Sequence, residues 1–221
     1  MRWKTRGLAA ALGLAAAMAA APAAAATRCE PIGAGVERCV SGLRPDAIRA
    51  IAQAQKASQW CWAAVVSMLL RAYGVAVAQE QVVRQYWGAA VDMALPVSAI
   101  PGLINRTWND PAGRAVTLTA RTVSQPAQGG LTSPDVLQDL DGERPLVLVV
   151  PGHAVVLVQL EYERPTGDDS GAQVKRAVVL DPAAQEGSVR ALRPGAAIVQ
   201  LTRVAAAGDG AVALAGRAVL R

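Results

Sequence analysis

The hydrophobic positions of this chain change period near residue 115. Residues 61–73, CWAAVVSMLLRAY, hold no Gly or Pro, and Val65, Val66, Leu69, Leu70 and Tyr73 recur at helical spacing. Ala, Leu and Met favour that conformation, and Gly74 is a natural stop. Apolar residues lie on almost every side, so a buried central helix is predicted. A second short helix is predicted over 79–86, and a third over 97–106, interrupted near Pro101-Gly102. Beyond 115 the period becomes two. Strands are predicted over 116–123, 146–150, 154–162, 174–180 and 196–204, separated by Gly, Pro and Asp turns. Between them Ser133-Pro134-Asp135 reads as an N-cap with Pro at the first helical position, opening a helix to Leu140. Residues 27–50 carry Pro31, Gly33, Gly35, Gly42 and Pro45 and read as an irregular N-terminal strap. The Ala/Gly-rich tail 205–221 yields no assignment, and no internal repeat is visible. The expected fold class is α+β: a helical first half and an antiparallel β second half in one domain over 51–204.

Residues 1–26 follow another logic. Arg2, Lys4 and Arg6 precede an Ala/Leu/Gly/Met run over 7–21, and a small-residue stretch ending near Ala26 offers several A-x-A sites. That order is the layout of a secretory signal peptide. The run is short and Ala-rich for a membrane span, and Ala26-Thr27-Arg28 before Cys29 is no lipobox, so no stable membrane anchor is expected. Export to the periplasm or the medium is.

Charge then loses most of its meaning. The whole chain has a formal net charge of +5, but three basic and no acidic residues lie in 1–26, which leaves +2 for the rest. No basic cluster with interleaved aromatics is present, so no nucleic-acid partner is expected. The three cysteines are too few for a disulfide scaffold. Cys29 and Cys39 bracket a Gly-containing loop and are expected to pair in an oxidising compartment, which leaves Cys61 unpaired. An unpaired thiol is either a buried, inert core residue or one kept free for its thiolate.

Cysteine catalysis requires a thiol that ionises near neutral pH, a base, and donors for the oxyanion. Cys61 is predicted at a helix start, where backbone N–H groups and the helix dipole favour negative charge. His153 is the one histidine of the chain; it follows Gly152 and opens a predicted strand. Asp181 ends another strand before Pro182, and an antiparallel neighbour would carry it alongside His153, where a carboxylate orients an imidazole. Gln53, Gln55 and Gln59 qualify by type as oxyanion donors, and Gln55 stands far enough before Cys61 for a loop to bring it back. Trp60 and Trp62 read mainly as packing around the helix start. Ser67 and Ser133 have no nucleophile signature around them. One histidine and one free cysteine do not make a usual zinc site, and no phosphate-binding or dinucleotide fingerprint appears, so no metal or cofactor is expected.

The segment Gln55-Lys56-Ala57-Ser58-Gln59-Trp60-Cys61-Trp62-Ala63-Ala64 resembles the nucleophile segment of papain-like cysteine peptidases. It is closest to a bacterial branch with a W-C-W-A-A motif, which includes plant-pathogen effector proteases and is similar to the leader-peptide-cleaving domains of bacteriocin exporters. Gly152-His153-Ala154 and Asp181-Pro182 match that family's later motifs in the same chain order. The resemblance covers roughly residues 50–185. It implies a papain-like fold with the cysteine helix packed on a sheet that carries His and Asp. The implied protein is a monomeric hydrolase, with Cys61, His153, Asp181 and Gln55 as site residues and a peptide or protein as substrate. Residues 87–116 and the strap match nothing in the family pattern. Two alternatives remain: a transglutaminase-like or deamidating acyl transferase, which shares the Cys, His, Asp order, and a non-catalytic papain-fold binding module. Mass spectrometry of the exported protein is expected to show a new N-terminus between about residues 23 and 27; an intact Met1 on exported material refutes the leader.

Overall fold

The most apolar helix of the sequence becomes the centre of one face of a single antiparallel sheet. The computed structural model describes residues 27–123, 128–184, 188–193 and 195–207. In chain order these form β1 (Arg28–Gly33), β2 (Val36–Gly42), α1 (Pro45–Ile51), α2 (Cys61–Ala72), α3 (Gln79–Trp87), α4 (Ile100–Ile104), β3 (Arg106–Asn109), β4 (Ala115–Val123) and α5 (Pro134–Asp141). Then follow β5 (Leu146–Val150), β6 (His153–Pro165), β7 (Gln173–Asp181), β8 (Ser188–Ala191) and β9 (Gln200–Ala206). The class is α+β.

The sheet runs β1-β2-β6-β5-β9-β4-β3, with β7 joined to β6 and β8 joined to β7. β6 is its spine. One edge of β6 pairs with β5 through residues 153–157 and with β2 through residues 159–165. The other edge pairs with β7. Its run of apolar residues is unbroken because both faces are covered. Ala154, Val156 and Val158 pack with Val65, Met68 and Leu69 of α2 in one core. Val155, Leu157, Leu160 and Tyr162 pack with Val136, Leu137 and Leu140 of α5 in another. The inward positions switch from odd to even numbers because the β6–β7 register shifts between Leu157 and Gln159, as an inserted residue requires of a period-two strand.

The segment before the expected domain differs from its sequence reading. The segment 27–50 is no irregular strap: it is a hairpin followed by α1. Its glycines serve the turn, with Gly33, Ala34 and Gly35 all at positive φ. Pro45 opens α1 at its first turn instead of breaking it. Cys29 and Cys39 stand directly opposite each other on β1 and β2 and form the expected disulfide. The third predicted helix also divides, into a short 3-10 turn, α4 and the strand β3. β8 has no counterpart in the sequence reading, because SVRA is short and mostly exposed. The last strand begins at Gln200 rather than at 196. Ser133 precedes α5 as expected, but its side chain makes no capping bond. Residues 1–26 and 208–221, where the leader is expected and most of the tail lies, fall outside the described residues.

No described helix is long and apolar enough to cross a membrane. The seam between the hairpin and the spine is tight at Gly42. Its φ is +129°, and a Cβ there would lie 2.2 Å from the Val158 carbonyl oxygen and 2.6 Å from Gln159 Cα. Backbone cannot move aside cheaply at such a contact. Gly42→Ala is therefore expected to destabilise the protein by about 1–3 kcal/mol, read as a lower urea midpoint with an unchanged slope.

Candidate active site

Three chain ends meet above the α2 side of the sheet: the start of α2, the start of β6 and the end of β7. Cys61 is the first residue of α2, where the backbone N–H groups have no helical partner. The helix begins there because the preceding chain is tied on several sides. The Trp60 N–H bonds back to the Ala57 carbonyl at 3.2 Å. The Asp92 carboxylate accepts from the Ser58 hydroxyl and from the Gln59 N–H, each at 2.8 Å. The indoles of Trp60 and Trp62, both buried, donate to the carbonyls of Val91 at 2.8 Å and Met93 at 3.1 Å. The buried amide of Gln79 holds the loop from below, donating to the Ala54 carbonyl at 2.8 Å and accepting from the Lys56 N–H at 3.0 Å.

His153 is fixed by a two-residue hairpin. Val150 pairs with His153 across Pro151-Gly152, and Gly152 has φ +73°. Pro then Gly at positive φ is the sequence a tight turn of this kind needs. Asp181 ends β7, which runs antiparallel beside β6, so it arrives next to the imidazole as the strand pattern predicts. His153 Nε2 lies 2.7 Å from Asp181 Oδ1. The same oxygen accepts the Ala183 N–H at 2.9 Å, and the other oxygen takes Arg190 Nη1 at 2.6 Å. With Nε2 committed to the carboxylate, Nδ1 is the ring nitrogen left to act on the Cys61 thiol, which lines the same cleft.

The electrostatics follow from these contacts. Burial pushes the Cys61 thiol up. The His153 hydrogen bond, the N–H groups of Ala154 and Trp62, and the imidazole charge outweigh burial and hold the thiol below its ordinary range. His153 is raised, first by its bond to Cys61 and then by Asp181, against burial. Burial also acts on Asp181, but His153, the Ala183 N–H and Arg190 keep its carboxyl below the usual carboxylate range. The opposite shifts on Cys61 and His153 both favour the charged thiolate and imidazolium forms over the neutral pair.

Gln55 is brought to the same cleft as Cys61 and His153. Its N–H bonds to the Pro182 carbonyl at 2.8 Å, which ties the loop before α2 to the end of β7. Its side-chain amide donates to the carbonyls of Ala57 at 2.9 Å and Ser58 at 2.8 Å, and its Oε1 is buried without a hydrogen-bond partner. Gln59 also lines the cleft. Gln53 does not: it bonds Ser67 at 3.0 Å under the helix, and Ser67 itself donates to the Val77 carbonyl at 2.6 Å. The cleft, about 370 Å³, is walled by Trp62, Leu95, Val97, Ile100 and Val149. Leu95, Val97 and Ile100 come from the segment 87–116, which matches nothing in the family pattern. Trp62 both packs in the core and faces the cleft. Asp92 and Arg190 were missed as well; nothing in VDMALP or SVRA marks them, because their roles arise from elements distant in sequence. Among the described residues the one grouping with metal-ligand geometry is Cys29, Glu37 and Cys39, and its two sulfurs are joined to each other.

Comparison with protein-family models and with curated proteins gives no match for this chain.

Alkylation of Cys61 by iodoacetamide is expected to run well below the pH at which an ordinary thiol of pKa about 8.5 reacts. The lowered thiol sets the acid limb and the raised imidazole keeps the pair intact past the usual histidine range. His153→Ala should move the acid limb up toward the ordinary thiol range, since burial is then opposed only by the N–H groups of Ala154 and Trp62, and cut the rate at pH 6 by at least about tenfold. Unchanged alkylation in that variant would disprove the pairing.

Proposed function

We propose that this chain is an exported cysteine endopeptidase of the papain-like type, hydrolysing peptide bonds through a thioester at Cys61. The observation that carries the reading is the constellation: a thiol at a helix start shares one cleft with an imidazole that lowers its pKa, and the far nitrogen of that ring is held by a buried carboxylate. The W-C-W-A-A segment, the order of the three groups along the chain and the helix-on-sheet arrangement around them support it further.

In this mechanism the Cys61 thiolate adds to the scissile carbonyl carbon, and the carbonyl electron pair moves onto oxygen. The first-turn N–H groups of α2 face that oxyanion, and the Gln55 amide joins them by releasing one of its two carbonyl contacts. Collapse of the intermediate breaks the C–N bond, and imidazolium gives its proton to the leaving amine. Water then attacks the thioester while neutral His153 accepts a proton, and the carboxylate product leaves with the thiolate restored. Asp181 keeps the ring in position and stabilises its charged form throughout. The apolar walls from Leu95, Val97 and Ile100 keep water from the sulfur between turnovers.

The test is digestion of a peptide library by the mature wild type beside Cys61→Ala. Wild-type cleavage that vanishes in Cys61→Ala and His153→Ala supports the reading. Asp181→Ala is expected to cost less than either, and Gln55→Ala about 10²–10³ in rate. Amine incorporation without hydrolysis would instead identify an acyl transferase. A Cys61 that neither reacts with probes nor turns over would identify a binding module.

A further inference from the structure

The face of the sheet opposite Cys61 carries a second polar cavity, of about 500 Å³, between α5 and β6. Asp135, Asp141 and Asp169 line it with a single cation, Arg164, which is already committed to Glu37 and Asp169. Each acidic neighbour is answered. Asp139 is held by Arg144 and Arg203, and Asp135 pairs with Arg203 at 2.8 Å. Asp141 has no ion pair among the described residues. It is also the last residue of α5, where the helix dipole disfavours a carboxylate and favours a cation. What Asp141 does hold is the backbone nitrogen of Thr27, at 3.0 Å from Oδ1. Thr27 is seated there twice over, because its hydroxyl donates to the Ser41 hydroxyl at 2.8 Å, and Ser41 is fully buried on β2.

Thr27 is also the residue that follows Ala24-Ala25-Ala26, the last of the A-x-A sites. We propose that leader removal between Ala26 and Thr27 turns the Thr27 nitrogen into an α-ammonium that Asp141 binds, so that the mature N-terminus is a docked part of the fold. The proposal rests on the export half of the function above and not on the peptidase half. In the chemical step, water hydrolyses the Ala26–Thr27 amide, Ala26 leaves as a carboxylate, and the freed amine takes up a proton. A neutral amide with one donor becomes a full charge with three. The Asp141 contact thereby becomes an ion pair at the end of α5, and the cavity supplies room for the remaining two donors and their water. The groups facing the new charge are Asp141 from α5, Ser41 from β2, and Tyr162 and Arg164 from β6, with Asp135 and Asp169 farther along the cavity wall.

The sign of the pH effect is defined. An amine whose pKa is raised by a carboxylate adds stability that is fully present below its unfolded value, about 7.7–8.0. That stability is lost as pH rises through the higher folded value. The experiment uses three chains: one starting at Thr27 with a free amine, one with a Gly-Ser extension before Thr27, and the first with Asp141→Asn. Intact mass and N-terminal sequencing of exported wild type should give Thr27. NMR titration of the α-amino group should give a pKa at least about half a unit above its ordinary range, returning to it in Asp141→Asn. The extension should lower Tm by about 1–3 °C at pH 6.5, and Asp141→Asn by a similar amount. If Asp141→Asn fails to fold, Asp141→Glu and the wild-type titration decide. A different mature N-terminus, retention of Met1, or an ordinary α-amino pKa in folded wild type overturns the proposal. Cys61 alkylation, which reports on the peptidase reading separately, should be the same in all three chains.

Discussion

The bond between His153 Nε2 and Asp181 Oδ1 joins two strands that the whole sheet is arranged to hold. β6 and β7 lie edge to edge, so the carboxylate reaches the ring from the neighbouring strand without a loop of its own. β6 is the most heavily supported strand in the molecule: it has hydrogen-bonded partners on both edges and a hydrophobic core on each face. A ring mounted at the end of such a strand cannot drift by more than the strand itself drifts. The positional accuracy that general base chemistry needs is therefore a property of the sheet before it is a property of the site.

The thiol is held differently. Cys61 sits on a helix whose start is tied to the segment before α4 by the Asp92 carboxylate and by the Trp60 and Trp62 indoles, which donate to the Val91 and Met93 carbonyls. The same segment continues into the cleft wall. Shape of the cleft and placement of the thiol are thus coupled through one stretch of chain. Gln55 shows the other side of this arrangement. Its backbone is anchored to the Asp181-Pro182 end, while its side-chain amide rests on local carbonyls.

Charge is distributed so that each partner favours the next. Arg190 engages the Asp181 oxygen that His153 does not use. That keeps the carboxylate ionised and leaves a single oxygen to hold the ring. On the far face the acidic end of α5 is compensated by Arg144 and Arg203 at Asp139. The two faces share the sheet but hold separate electrostatic systems, because Val147, Val149, Val156 and the other sheet residues between them exclude water from both.

Much of this was legible locally. The helix at 61–73, the strands at 146–150 and 174–180, the turn before His153 and the Cys29–Cys39 pair all follow from short-range rules: periodicity, turn chemistry and cysteine count. That Cys61, His153 and Asp181 come together was legible too, because chain order and strand ends constrain where such groups can meet. The hairpin over 28–42 was hidden by its own glycines and prolines, which mark a turn as readily as an irregular strap. β8 and the split after α4 were hidden because short, exposed segments carry no hydrophobic period. Asp92, Arg190, the Gln55 amide orientation and the Thr27–Asp141 contact lay beyond sequence altogether. The sequence by itself determined which residues are chemically suited to act together and where the long periodic segments lie, since those depend on residue type and near neighbours. The tertiary structure alone decided which distant backbone carbonyls, carboxylates and guanidiniums those residues meet, because hydrogen bonds and ion pairs are set by separations in space that no spacing along the chain encodes.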